Sequence, residues 1–425
     1  MIEIKQGDCI EVMRGMAAES VQCCVTSPPY YGLRDYGVEG QIGLEETPEA
    51  FVDKMVEVFR EVRRVLRDDG TVWLNLGDSY AGNCSRTSTG RAGMGKEREG
   101  IYTKGGPGLK PKDLLGIPWR VALALQEPDY KCLRCLAVRR FSKWPKWDNG
   151  AFAICPKCCK RCGDKQPVKV ADGWYLRQDI IWHKPNPMPE SVRDRCTKSH
   201  EYIFLMSKKA RYFYDADAIA ELSNDPTDNR KERTKLYHKR HPTDKIQGMR
   251  AGSATYETRN KRSVWTMNTH SFKECHFAVF PPELPETCIK AGTSESGCCP
   301  ECGAPWKRIT EKVVTKVRPP EEGTQASMAR SGMVQQGGNN TGTHSLRDGF
   351  REGFNETIGW QPTCKCDAGE PVPCTVLDPF CGAGTTGLIA MRYQRSFVGI
   401  ELSPDYCDMA RKRINDDQPL FNEVM

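Results

Sequence analysis

Long apolar runs are missing. No stretch of the 425 residues approaches the ~18 consecutive apolar positions that a spanning helix needs, so no membrane partner is expected. The start, Met1-Ile2-Glu3-Ile4-Lys5, lacks the charged and apolar regions of a signal peptide, and a cytoplasmic location is the expectation. No repeat of solenoid period is present, which removes the stacked-repeat folds. An oxidised disulfide framework is also excluded in a reducing compartment, so the 21 cysteines need another explanation.

With 38% hydrophobic and 28% charged residues, the chain is suited to one large or two modest globular domains. Its net charge of +7 is unevenly spread. From Arg230 to Arg262, Lys and Arg far outnumber Glu232, Asp244 and Glu257. Such a segment suits a polyanionic partner or a solvated linker.

Residues 1–80 alternate strands and helices. Ile2-Glu3-Ile4 and Val21-Gln22-Cys23-Cys24-Val25 read as strands, the second stopped by Pro28-Pro29. Phe51, Met55, Val58, Val62 and Leu66 mark one face of a helix, and Thr71 to Leu76 a further strand. Asn83 to Lys112 and Glu311 to Asn355 have no apolar period and are expected to be flexible. Trp174 to His183 and Glu201 to Ser207 read as strands around a proline-rich loop, Lys184 to Glu190. The βα rhythm returns at Thr375. It predicts an α/β protein with a mostly parallel sheet covered on both faces.

The strand Thr375 to Phe380 runs into Cys381-Gly382-Ala383-Gly384-Thr385-Thr386-Gly387 and then a helix. Glycines at this turn admit close approach of a ligand to backbone. A second strand ends in Glu401, placed to hold ribose hydroxyls. This pattern alone fits a dinucleotide or S-adenosylmethionine. It lies too near the C-terminus for a whole dinucleotide domain, so the N-terminal segment must complete it, a circular permutation.

Together with Ser27-Pro28-Pro29-Tyr30, the glycine loop Phe380-Cys381-Gly382-Ala383-Gly384 makes the chain resemble the amino-group DNA methyltransferases, the N4-cytosine/N6-adenine family. Catalytic loop first and cofactor loop last is similar to the family's β group. The resemblance implies a circularly permuted, Rossmann-like, S-adenosylmethionine-dependent fold acting on double-stranded DNA by base flipping. It implies catalysis by Ser27, Pro28, Pro29 and Tyr30, with Tyr30 stacking on the target base. It implies a cofactor site of Asp8 at the adenine ring, Glu401 at the ribose, and Asp378, Phe380 and Gly382 around the methionine part, with Cys381, Gly384 and Thr385 completing the loop. For Asp8, a helix N-cap ahead of Cys9 is the alternative. Val264-Trp265 and the stretch from His276 to Pro281 resemble a segment that closes over the cofactor. Ser27 tilts the acceptor toward cytosine N4 over adenine N6. An accompanying restriction endonuclease is a candidate partner, and the oligomeric state is open.

Cys132, Cys135, Cys155 and Cys158 have zinc-ribbon spacing, with Cys159 and Cys162 as a competing second pair. Cys299, Cys302, Cys364 and Cys366 form a second candidate site. Both read as structural Zn2+ sites bracing DNA-contacting lobes.

The division expected is a catalytic half (1–130), a cysteine-rich insert (131–165) and continuation of the sheet (166–220). A basic recognition segment (221–262) with Lys239 and Arg240 at phosphates follows, then a cofactor-closing segment (263–297). A second knuckle with a flexible insert (298–366) and the cofactor half (367–425) end the chain. Three rivals remain. A C5-cytosine methyltransferase would use Pro373-Cys374. A protein glutamine methyltransferase shares a P-P-Y loop, and the third rival is a non-catalytic zinc DNA-binding module.

Overall fold

The computed structural model describes residues 1–82, 109–132, 138–143, 168–222, 258–269, 279–318, 350–367 and 369–417. Two compact units are formed. The first comprises 1–215, 262–306 and 362–425, and the second 216–261 and 307–361.

The first unit begins with β1 (Ile2–Gln6), α1 (Cys9–Arg14), β2 (Val21–Thr26), α2 (Pro48–Val65) and β3 (Leu66–Leu76). Helix α2 starts where Thr47 Oγ1 accepts from Ala50 N at 3.1 Å and Pro48 fills the first turn. Phe51, Met55, Val58 and Val62 are buried on one face of it, as the spacing predicts, but Leu66, expected to extend that face, is instead the first residue of β3. Then come α3 (Ile117–Gln126) and a small antiparallel sheet of β4 (Asp129–Lys131), β5 (Val138–Arg140) and β6 (Val168–Ala171). Arg60 clamps Asp129 through two bonds of 2.7 and 2.6 Å, fixing β4 to α2. Strands β7 (Tyr175–His183) and β8 (His200–Ser207) follow.

In the second unit, β9 (Glu221–Leu222) pairs with β10 (Thr258–Arg259). The first unit resumes with β11 (Val264–Thr266) and α4 (Glu283–Gly292). Then β12 (Lys307–Arg318) and β13 (Phe350–Gln361) make a long antiparallel ribbon in the second unit. Glu311 to Arg318 and Phe350 to Asn355 are therefore strand, not the flexible chain that their polar composition suggests. The antiparallel backbone ladder between the two strands, Lys307 opposite Gln361 to Arg318 opposite Phe350, supplies the order that single-strand composition hides. The first unit closes with β14 (Thr375–Asp378), α5 (Thr385–Arg392), β15 (Ser396–Glu401) and α6 (Pro404–Asp417).

The main sheet has the order β1-β15-β14-β2-β3-β8-β7-β11. Only β8 runs against the others. The two C-terminal strands thus lie between β1 and β2. All-buried β2, with no exposed position, fits a central strand of a sheet covered on both faces. On one face α4 approaches so closely that a Cβ on Gly292 would come within 2.7 Å of Cys23 Sγ. Among the described residues no helix is long and apolar enough to cross a membrane.

Candidate active site

Because β2 and β14 are parallel neighbours, the loops leaving their C-terminal ends meet. Ser27-Pro28-Pro29-Tyr30 follows β2, and Pro379 to Gly384 follows β14. Between them opens a pocket of about 1000 Å3 including its mouth. Ser27, Pro28, Pro29 and Tyr30 line one side; Phe380, Gly382, Glu401 and Asp8 line another. Six of the predicted positions in the two loops, with Asp8 and Glu401, therefore share one cavity.

Asp378, Cys381, Gly384 and Thr385 lie behind this wall and are not among the residues lining it. Asp378 is buried, and its carboxylate ties the two loops together. Oδ1 accepts from Thr26 Oγ1 at 2.7 Å and from Phe380 N at 3.1 Å, while Oδ2 accepts from Thr386 Oγ1 at 2.7 Å. Burial pushes its pKa up to about 6. Thr385 Oγ1 accepts from Arg413 Nη1 at 2.8 Å, anchoring α6. Gly384 has φ 73° and begins α5, and a Cβ there would meet the Ala410 Cβ at 2.9 Å.

Asp8 does two things at once. It is the N-cap of α1, with Oδ1 accepting from Ile10 N at 2.9 Å and Glu11 N at 3.1 Å, and it lines the pocket. Glu401 accepts from Gly382 N at 2.8 Å and Ser403 N at 2.9 Å, and burial raises its pKa. Those two bonds orient its carboxylate and leave acceptor capacity toward the pocket.

Tyr30 is held more tightly than a free stacking ring. Its hydroxyl donates to Glu201 Oε2 at 2.6 Å and lies 3.3 Å from Asn75 Oδ1. Asn75 Nδ2 reaches the same Glu201 oxygen at 3.2 Å, and Lys184 pairs with Oε1. Burial and the Glu201 carboxylate hold the phenol well above its ordinary pKa, so it stays a donor. Ser27 Oγ is 3.5 Å from the Tyr30 hydroxyl. Glu201 and Lys184 escape sequence reasoning as site residues. A charged residue heading the apolar run Tyr202 to Met206 was the available signal, since a buried acid needs partners. Tyr36 and Tyr406 also line the pocket, rings 6.3 Å apart and near perpendicular; 370 residues separate them and nothing local announces the contact.

The second cysteine cluster assembles. The sulfurs of Cys299, Cys302, Cys364 and Cys366 all lie within 4.8 Å of one another. Cys299 N donates to Ala304 O at 2.9 Å, and Gly303 N to Cys299 O at 2.8 Å. Gln22 at the start of β2 donates to Gly303 O at 3.1 Å, and Arg67 at the start of β3 to Cys302 O. The knuckle thus sits at the opposite end of the strands from the Ser27-Pro28-Pro29-Tyr30 loop, roughly 16 Å away at 3.3 Å per residue. Of the first cluster, Cys132 is buried, while Cys135, Cys155 and Cys158 lie outside the described residues, as do Lys239, Arg240 and His276. Among the described residues, the segment 263–297 contributes none to the pocket wall: Val264–Thr266 is an edge strand beside β7, and Glu283–Gly292 packs on the sheet. Cys374, the rival nucleophile, is buried outside the pocket, and the neighbouring Cys298 thiol together with burial raises its pKa well above the ordinary value. That is no place for an attacking thiolate.

Comparison with known proteins agrees with this geometry. The sequence pattern of the N6/N4 family described as "DNA methylase" matches residues 21–299 and 374–412. Type II methyltransferase M.SmaI of Serratia marcescens is 33% identical over 409 residues, covering 96% of this chain and 89% of that protein. Type II methyltransferase M.Cfr9I of Citrobacter freundii is 32% identical over 413 residues, covering 97% and 87%. Among solved structures, the PvuII DNA methyltransferase (cytosine-N4-specific) aligns with a TM-score of 0.45 at 14% identity, covering 97% of this chain and 89% of that one. With both loops of the pocket inside the matched residues, the chain belongs to the N6/N4 DNA methylase family, the amino-group DNA methyltransferases.

Proposed function

We propose that this protein transfers a methyl group from S-adenosyl-L-methionine to the exocyclic N4 amine of cytosine in duplex DNA, through a direct in-line displacement on a flipped base. The observation that carries the reading is the shared pocket, with Ser27-Pro28-Pro29-Tyr30 facing Phe380, Gly382 and Glu401. The placement of β14 and β15 between β1 and β2 supports a Rossmann-like sheet circularly permuted in sequence.

When bound, the cofactor supplies an electrophilic methyl on a sulfonium. Glu401 would accept from the ribose and Asp8 from the adenine end, and Phe380 and Gly382 would enclose the remainder. An exocyclic amine is a poor nucleophile because its lone pair is delocalised into the ring. The Ser27 hydroxyl and the Pro28 carbonyl accept its two N–H bonds and draw the lone pair out of the ring plane. Pro29 fixes the turn behind that carbonyl, and Tyr30, clamped by Glu201, presents its ring to the base. Methylation would leave the amine with one surplus proton, which the Ser27 hydroxyl would relay to solvent. Ser27 as first residue of the loop favours cytosine over adenine. Lys239 and Arg240 are assigned to DNA phosphates, which give affinity rather than sequence. Incubation with duplex DNA and cofactor carrying a labelled methyl tests the reading: label enters DNA, and none enters if the pocket serves another purpose.

The four sulfurs of Cys299, Cys302, Cys364 and Cys366 suit tetrahedral zinc, whose Zn–S bonds of about 2.3 Å fit donors this close. With all four positions filled by thiolates the ion is structural. We expect the purified protein to contain zinc. The double variant Cys302→Ser, Cys366→Ser should lose one equivalent and several kcal/mol of stability, out of the ~10–16 kcal/mol typical of such sites. Elemental analysis and thermal melting check this; unchanged metal content would remove the site from the account.

A further inference from the structure

The connector from β7 to β8, residues 184–199, carries Met188 with 86% of its surface exposed, more than any other large apolar side chain among the described residues. Water alone gives no reason to place a thioether there. The surrounding sequence is Lys184-Pro185-Asn186-Pro187-Met188-Pro189-Glu190. Three alternating prolines restrict the backbone, so the side chain is displayed at low entropic cost.

The connector is also fastened at both feet. Lys184 N donates to Ser199 O at 2.8 Å, and Asn186 Oδ1 accepts from Thr269 N at 3.0 Å. Arg195 pairs with Glu190 at 2.5 Å while its guanidinium lies 4.1 Å from the Tyr80 ring centroid. Lys198 Nζ donates to Asp78 O at 3.1 Å. Strand β7 points the same way as β2, so the connector leaves the sheet at the end where the catalytic loop does. Lys184 shares Glu201 with Tyr30. Met188 is four residues farther on, within roughly 14 Å by chain length. Lys184, Arg193, Arg195 and Lys198 outnumber Glu190 and Asp194 along the connector, which suits a phosphate backbone nearby.

We propose that Met188 is a wedge that enters the base stack of duplex DNA beside the target nucleotide and fills the space left when that nucleotide swings out. Met is among the apolar side chains that proteins insert between base steps. The inference rests on the proposed methylation of a flipped base. It assigns to the connector the work of holding the duplex open, separate from the chemistry at Ser27.

The test compares two 30-base-pair duplexes carrying the methylated site, mapped beforehand by sequencing DNA treated with the wild-type protein. In one the target is paired; in the other it faces an abasic position, so that little unpairing remains to be done. Met188→Ala should lose about 10- to 100-fold in kcat/KM on the paired duplex, and less than about threefold on the abasic one. Met188→Leu should retain activity on both. Equal activity of Met188→Ala and wild type on paired DNA would overturn the proposal. So would an equal loss on both duplexes, which would mark Met188 as an ordinary contact to DNA or to a protein partner. If the wild-type protein methylates neither duplex, the proposed function itself fails, an outcome distinct from either.

Discussion

Ser27→Ala lowers the methyl-transfer rate by about 10²- to 10³-fold, the loss typical of removing one preorganised hydrogen-bonding group from a reacting centre, and leaves cofactor binding within about threefold. The two halves of this expectation come from separate parts of the pocket. Ser27 stands on the loop after β2, whereas Phe380, Gly382 and Glu401, the proposed cofactor contacts, line another side of the pocket. Losing the hydroxyl leaves the Pro28 carbonyl to accept one amine N–H, and the second N–H unaccepted. The lone pair then stays delocalised, and the penalty falls on kcat. Single-turnover kinetics with a calorimetric cofactor titration separates the two quantities. Full activity of Ser27→Ala would remove the hydroxyl from the mechanism. A loss confined to cofactor affinity would reassign it to the cofactor wall.

Asp378→Asn costs at least about 100-fold in transfer rate, a loss that a misplacement of 1 Å is enough to produce, without unfolding the protein. The carboxylate accepts on both oxygens, from Thr26 and Phe380 on one and from Thr386 on the other. An amide has one acceptor oxygen, so one threonine hydroxyl faces an N–H donor instead. Thr26 is the residue immediately before Ser27, and Thr386 stands in the first turn of α5 behind the glycine loop. The error is therefore delivered to both walls of the pocket. The same variant has a signature in pH. Asp378 titrates at about 6 in the folded protein because burial disfavours its charge, against an ordinary value of 3.8. Raised in this sense, its contribution to stability is complete below pH 3.8 and is lost as pH rises through about 6. At 1.36 kcal/mol per unit, the fall is about 3 kcal/mol. Asp378→Asn lacks that fall, so the difference in unfolding free energy between the two proteins changes across pH 4–6. Urea titrations across that range measure it, and a difference independent of pH would contradict the raised pKa of this buried carboxyl.

Much of the site is legible in the chain because its chemistry is local. Two prolines after an apolar strand must make a loop, and Gly382 and Gly384 between a strand and a helix make a close turn. The strand and helix positions follow for the same reason, since Phe51 to Val62 carries a helical period and Val21 to Val25 is a short run that two prolines soon stop. What the sequence hides is set by tertiary contact. Asp378 reads as a cofactor ligand on resemblance; the structure shows that its oxygens are occupied by the two threonines and a backbone amide, an arrangement joining positions 26 and 378 that no local pattern encodes. Tyr30 reads as a stacking ring, and its clamp by Glu201 depends on β8 lying beside β3. The ribbon β12–β13 was hidden because each strand alone is polar and earns its order only from the other. The four sulfurs of the second cysteine cluster come together across more than sixty intervening residues, a meeting that cysteine pairs at knuckle spacing make legible from residue type.

The most direct measurement of the central claim is the identity of the methylated nucleoside. Duplex DNA treated with protein and S-adenosyl-L-methionine is digested to nucleosides and separated by liquid chromatography with mass detection, with Ser27→Ala in parallel. The account predicts N4-methylcytosine from the wild-type protein and at most a trace from Ser27→Ala. N6-methyladenine would keep the chemistry and overturn the choice of base; 5-methylcytosine, or DNA without added methyl, would contradict the account.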